Sequence, residues 1–284
     1  MGVQFNERLK WSDHVDILSQ GISKLCDVLQ KLKYKLDRET LQSIYFTFVR
    51  PKLEYASIIW DDCAEYAKDR LENIQLTFAR IVTGAKRGTS HQLLYNELSW
   101  PTLADRRAVA KLKFMYKLFN NTVPDYLKGI LPDRNTNYNL RNINDVKNFS
   151  TRTEKFRKSL IPDCIRKWNA LSPTVRNIDS YHDFVKEISP PYKPNTLYYG
   201  TSRKASIVHS QFRMKCSNLR SHLFGLHVID SPFCFCSDRI EDCDHFFFQC
   251  VLHHVPRAML MEQLNTVCAD LEVTSELLLF GSDM

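Results

Sequence analysis

Residues 101–119 read PTLADRRAVAKLKFMYKLF, and the spacing of this run decides the fold class. At 100° per residue Ala108, Val109, Leu112, Met115, Tyr116 and Phe119 fall on one side of a helix. Arg106, Lys113 and Lys117 line up opposite, flanked by Arg107 and Lys111. Pro101 suits the first turn, where a missing N–H costs nothing. The run predicts a helix with one buried face and one strongly basic face. So dense a basic face suits contact with backbone phosphates; the plainer reading is that it only solvates the protein.

The same period extends upstream. Leu18, Ile22, Leu25, Leu29, Leu32 and Leu36 alternate steps of four and three along one stripe, with Ser12 or Asp13 able to cap its start. Asp37 is placed to cap a second helix carrying Leu41, Ile44, Tyr45 and Phe48, which Pro51 should kink or end. A third stripe runs Ala67, Leu71, Ile74, Phe78, Ile81, with Gly84 suited to the C′ position. These faces are expected to pack on one another; a homo-oligomer seam along residues 18–36 is the alternative. Downstream, PDRNTNYNLRNINDVKNFS is rich in Asn and lacks apolar periodicity, so residues 131–155 read as a loop or linker. FRKSLIPDCIRKWNAL and YHDFVKEI suggest two short helices, and SPPYKPN an extended stretch. The expected fold is mostly α, with a helical domain over 1–130 and a basic helical domain over 156–284. Any strands should be short and local to the cysteine-rich segment.

At 284 residues, 44% hydrophobic and 25% charged, the chain has the composition of a soluble globular protein with a real core. It lacks an apolar run of roughly 20 residues that would span a bilayer, and MGVQFNERLKW lacks the apolar region of a signal peptide. An intracellular, reducing location is expected, nuclear or cytoplasmic, in which clustered cysteines mean metal more often than disulfides. The net charge is +7, unevenly spread. Between Glu187 and Asp230 no acidic residue occurs, while Lys193, Arg203, Lys204, Arg213, Lys215 and Arg220 do. Such a stretch suggests a polyanionic partner.

Residues 234–250, CFCSDRIEDCDHFFFQC, hold four of the nine cysteines. Cys234, Cys236, His245 and Cys250 make a Cys₃His set of the kind structural zinc prefers. Four protein ligands leave no position for a reactive water, so such a zinc is structural. Cys243 is a rival ligand, and His253 or His254 could replace His245. The competing reading is a small aromatic core of Phe233, Phe235, Phe246, Phe247 and Phe248 in which the thiols are merely buried neighbours. Just upstream, RKASIVHSQFRMKCSNLRSHLFGL read as one helix places His209, Arg213 and Arg220 on one face. Tyr198 and Tyr199 precede it, where they could stack on bases.

MGVQFNERLKWSDHV, YFTFVRPKLEYASIIWD, LENIQLTFARIVTG and TSHQLLYNELSWPTLADRRAVAKLKFMYKL together resemble the segment that follows the polymerase palm in LINE-type non-LTR retrotransposon reverse transcriptases. IVHSQFRMKCSNLRSHLFGLHVIDSPFCFCSDRIEDCDHFFFQC is similar to the C-terminal region of the same proteins, including its Cys–Cys–His–Cys knuckle. The resemblance implies that Cys234, Cys236, His245 and Cys250 are the ligands and Cys243 a bystander. It also implies that residues 12–120 are thumb-like. The palm aspartates of that family lie upstream of the matching region, and Asp61–Asp62 reads as a surface or helix-end pair. P-loop, G-x-S-x-G and H-E-x-x-H patterns do not occur. The expectation is a non-catalytic nucleic-acid-binding remnant, with RNA favoured over DNA and no membrane role. Arg106, Arg107, Lys111, Lys113 and Lys117 would contact phosphates in the first half. Arg203, Lys204, His209, Arg213, Lys215 and Arg220 would do so beside the zinc. The alternative is a helical protein-interaction adaptor with structural zinc.

Overall fold

The computed structural model describes residues 2–4, 6–7, 10–132, 145–190, 192, 195–236, 239–267 and 273–281. Among them the fold is mostly α, as expected. In chain order come α1 Ser12–Leu32, α2 Arg38–Ile44, α3 Arg50–Glu54, α4 Ser57–Trp60 and α5 Glu65–Thr83. There follow α6 His91–Leu98, α7 Leu103–Phe119, α8 Glu154–Lys158, α9 Leu160–Asn169 and α10 Pro173–Arg176. The series ends with α11 Tyr181–Ile188, α12 Arg203–Arg213, α13 Arg220–Gly225, α14 His254–Val267 and α15 Ser275–Phe280. Phe233 and Ile240 form an antiparallel bridge inside the cysteine-rich segment.

The chain divides into two units, but not into consecutive halves. The first comprises Met1–Asp27, Ile44–Gln75 and Trp100–Lys193; the second comprises Val28–Ser43, Leu76–Ser99 and Pro194–Met284. The boundary expected at 131–155 falls inside the first unit, and its residues 133–144 lie outside the described ones. The physical reason is the apolar face of α7. Leu112, Met115 and Tyr116 close one core with Cys164, Ile165, Trp168 and Phe184, which belong to α9 and α11. Tyr116 stacks on Phe184 at 4.6 Å and Phe119 on Trp168 at 4.8 Å. Cut at 130, α7 would expose this face.

Local signals act as their chemistry dictates. Asp37 Oδ1 accepts the Thr40 N–H at 2.7 Å, capping α2; that bond holds the Asp37 carboxyl below its ordinary range. The helix that Pro51 was expected to kink breaks ahead of the proline. Tyr45–Val49 widens into a π turn in which Arg50 N–H donates to Tyr45 O, and Pro51 then sits in the first turn of α3. Thr102, not Pro101, starts α7: Thr102 and Asp105 form a capping box, leaving Pro101 outside the helix. The 18–36 stripe turns inward, with Ile22 and Leu29 buried and Leu18, Leu25, Leu32 and Leu36 half-buried.

Gly84 ends α5 with φ +73, and its N–H donates to Arg80 O at 2.8 Å. A Cβ there would stand 2.6 Å from Ile207 Cγ1. Gly84→Ala thus combines a left-handed backbone with a clash, and should lower unfolding free energy by about 1–3 kcal/mol in a urea titration. Wild-type stability would mean that neither constraint acts.

Candidate metal centre and the basic residues around it

The centre is assembled from two short pieces of irregular backbone. In the first, Phe233 pairs with Ile240, Glu241 N–H donates to Pro232 O at 3.0 Å and Cys234 N–H to Arg239 O at 2.8 Å. This brings Cys234 and Cys236 forward. In the second, His245–Gln249 is a π turn closed by Cys250 N–H donating to His245 O at 2.7 Å. A wide turn is what the four-residue spacer requires, because it carries residue i+5 back over residue i. Asp242 Oδ1 accepts the His245 N–H at 2.8 Å and fixes the start of that turn.

The ligand atoms of Cys234, Cys236, His245 and Cys250 all lie within 4.8 Å of one another. Cys234 Sγ and Cys250 Sγ are 3.7 Å apart, and Cys236 Sγ is 3.1 Å from His245 Nε2. Thiolates bound tetrahedrally at about 2.3 Å stand roughly 3.8 Å apart, so the sulfur pair already has the spacing of a metal shell. These four residues can hold a metal ion. Cys243, His253 and His254 are not among them: the Cys243 thiol lines a separate cavity, His253 packs on Phe246 at 4.7 Å, and His254 Nδ1 meets Val251 O.

Burial separates this arrangement from an aromatic core. Cys234, His245 and Cys250 are buried, whereas Phe246, Phe247 and Phe248 are half-buried and Phe235 is 84% exposed. A hydrophobic cluster would show the reverse order. Burial, together with the neighbouring Cys250 thiol, pushes the Cys234 thiol up to about 11, against the pull of a backbone hydrogen bond at Cys236. A bound cation would reverse that preference at Cys234. The His245 Nδ1 is buried without a hydrogen-bond partner among the described residues.

Some supporting residues escape a reading of the ligand pattern. Arg257 donates from Nε to Phe247 O at 2.8 Å and also to Cys250 O, clamping the end of the π turn. Glu241 Oε2 accepts the Arg220 N–H at 3.0 Å, tying α13 to the centre. Asp242 was legible as an acid three residues ahead of a ligand; Arg257 and Glu241 carry no such local signal.

Most of the cations expected to face phosphate are engaged within the protein. Arg106, Arg107 and Lys111 are buried, contrary to expectation, because α3 and α4 pack against α7 where these three cations lie. Arg106 pairs with Glu54 at 2.9 Å and donates to Tyr45 Oη at 2.8 Å. Arg107 lies 2.6 Å from Asp61, and Lys111 bridges Asp61 and, at 2.7 Å, Asp163. Burial opposes the charge of Lys111, but its bonds to Asp163 and Asp61 outweigh that and raise it above the ordinary lysine value. Lys113 stays half-exposed and Lys117 exposed, its ammonium over the Tyr181 ring at 5.5 Å. Asp61 and Asp62 do follow α4, but Asp61 is screened by Arg107, Lys111 and Lys68, and Asp62 accepts from the Trp11 indole.

In the second unit the expected single helix breaks at Met214–Leu219, where Lys215 has φ 51. His209 and Arg213 therefore lie on α12 and Arg220 on α13. The Arg203 guanidinium collects Lys33 O, Ile81 O and Val82 O, each at 2.7 Å, capping the ends of α1 and α5; burial lowers it to about 10. Arg213 pairs with Glu97 at 2.9 Å, and His209 uses both ring nitrogens, on Tyr198 Oη and Leu278 O. Tyr198 is buried under Arg38 instead of facing solvent. Lys204 and Lys215 remain exposed, and Arg220 lies 4.4 Å over the ring of Phe235.

No family model, curated protein or solved structure matches this chain. Among the described residues no helix is long and apolar enough to cross a membrane.

Proposed function

We propose that residues 234–250 hold a structural zinc ion and that the chain is a non-catalytic nucleic-acid-binding module. By its sequence resemblance it derives from the C-terminal part of a LINE-type reverse transcriptase. Zinc is favoured by the ligand set, three thiolates and one imidazole closing a tetrahedron with no open position. The observation that carries the nucleic-acid reading is Phe235. It lies between two ligand cysteines, 84% exposed, with the Arg220 guanidinium on its ring. An aromatic face held out to solvent by a rigid knuckle, with a cation on it, suits stacking on an unpaired base. Lys204 and Lys215 are exposed cations of the same unit. The phosphate-contacting set is accordingly Lys204, Lys215 and Arg220, with Arg203, His209 and Arg213 shaping the fold.

Zinc-loaded protein should bind single-stranded RNA with log affinity falling linearly as log salt rises. Phe235→Ala should weaken binding about tenfold, within the range of roughly 1–3 kcal/mol for one stacked base. Lys215→Glu should weaken it further and flatten the salt slope. Unchanged affinity in both variants would remove the RNA reading. One observation favours the adaptor in that event: Val251, Val255 and Met259, four residues apart around the start of α14, are each more than half exposed.

A further inference from the structure

Within the first unit, Asp61, α5, α7, α8 and α9 enclose a cavity of about 340 Å³. Its walls carry an excess of positive charge. Lys68 comes from α5, Arg107 and Lys111 from α7, Arg157 and Lys158 from α8, and Arg166 and Lys167 from α9. Against these seven cations the lining holds three carboxylates, Asp61, Glu65 and Asp163. The carboxylates are heavily subscribed: Lys111 takes one oxygen from each aspartate, Arg166 takes a second from Asp163 at 2.6 Å, and Glu65 meets Lys68 at 3.2 Å. Glu154 answers Arg157 from beside the cavity.

Three cations are left with unused capacity. The Arg107 side chain is only 5% exposed, yet its Nη1 has no hydrogen-bond partner among the described residues. Lys167 has no ion-pair or hydrogen-bond partner among them either. Lys158 reaches its carboxylates only at 3.7 and 3.8 Å. A buried guanidinium edge without an acceptor is costly, and tetrahedral oxyanions match the fork of arginine. An apolar or neutral guest would leave both the edge and the charge excess unanswered.

We propose that this cavity binds a compact, multiply charged phosphate, accepted by the Arg107 Nη1 edge and closed over by Lys158, Arg166 and Lys167. The chemistry is that of a pyrophosphate or of the terminal phosphate of a polynucleotide. The site lies in the other unit from the knuckle and stands whether or not Phe235 stacks on a base.

The test is calorimetric titration of the full zinc-loaded chain with pyrophosphate at low salt. Saturable one-to-one binding is expected. The Lys158→Glu/Lys167→Glu variant should weaken it at least tenfold while keeping the wild-type melting temperature, since Lys158 is exposed and Lys167 half-exposed. Arg107→Lys, which keeps the charge but removes the fork, should weaken it as well. Lys24→Glu, exposed on α1, should leave it unchanged. Absence of saturation, an equal loss in Lys24→Glu, or wild-type affinity in the double variant would overturn the site. A 5′-phosphorylated RNA competing for pyrophosphate better than its 5′-hydroxyl counterpart would assign the phosphate to a polynucleotide end. Equal competition would assign it to the free ion, and either result requires the cavity.

Discussion

On the zinc assignment proposed above, Cys250→Ser should release the metal and dissolve the order of residues 220–236 and 239–257 while the first unit stays folded. Cys250 is the ligand on which most converges: its thiol is fully buried, its N–H closes the π turn, and its carbonyl receives Arg257. Structural zinc contributes roughly 10–16 kcal/mol in short peptides, far more than the half-buried phenylalanines here can supply. Metal content by native mass spectrometry should fall from one zinc per chain to none. Hydrogen exchange should accelerate through the π turn and α13, and cobalt substitution should lose its tetrahedral thiolate spectrum. Cys243→Ser is the matched control and should retain the metal, its sulfur being outside the ligand group. A Cys250→Ser chain with one tightly held zinc would remove the assignment.

The second large effect lies in the second unit, at Glu97. Its carboxylate, with a side chain 3% exposed, accepts from Arg38 at 3.1 Å, from Tyr198 Oη at 2.8 Å and from Arg213 at 2.9 Å. Arg38 is itself 4% exposed and lies 4.0 Å over the Tyr198 ring. Removing the acid leaves Arg38 charged and buried, and breaking a buried pair from one side costs about 3–5 kcal/mol. Glu97→Ala should therefore lower the unfolding free energy from a urea titration by that amount or leave the second unit unfolded. Glu97→Gln, which keeps an acceptor but loses the charge, should fall between. A loss of only a few tenths of a kcal/mol would mean that Arg38 finds water or another acceptor.

These two sites differ in how visible they are before folding. The ligand set stands out because cysteine and histidine at short spacing have few other uses, and because its geometry is local. Helices are visible for the same reason: stripes such as Ala67, Leu71, Phe78 and Ile81 depend on a period of 3.6 residues and nothing distant. The Glu97 cluster joins residues 38, 97, 198, 210 and 213, and no local pattern announces it. The basic face of α7 failed for that reason too. A helical wheel sets Arg106 beside Lys113 and Lys117 with Arg107 and Lys111 flanking them, but whether these cations meet water depends on Glu54, Asp61 and Asp163 arriving from elsewhere in the chain. The limit expected at 131–155 falls inside the first unit because α7 shares its core with α9 and α11, a contact that local composition does not announce.

The alternation of the two units along the chain has a consequence for how the protein is made. The second unit uses residues 28–43 and 76–99 but draws its largest share from 194–284. On the ribosome its early segments emerge long before their partners, and Arg38 and Glu97 must wait for Tyr198 and Arg213. Long sequence separations slow closure and lengthen the time that apolar helix faces stay open. The first unit draws on no residue beyond 193, so its last segment leaves the ribosome before the largest segment of the second is made.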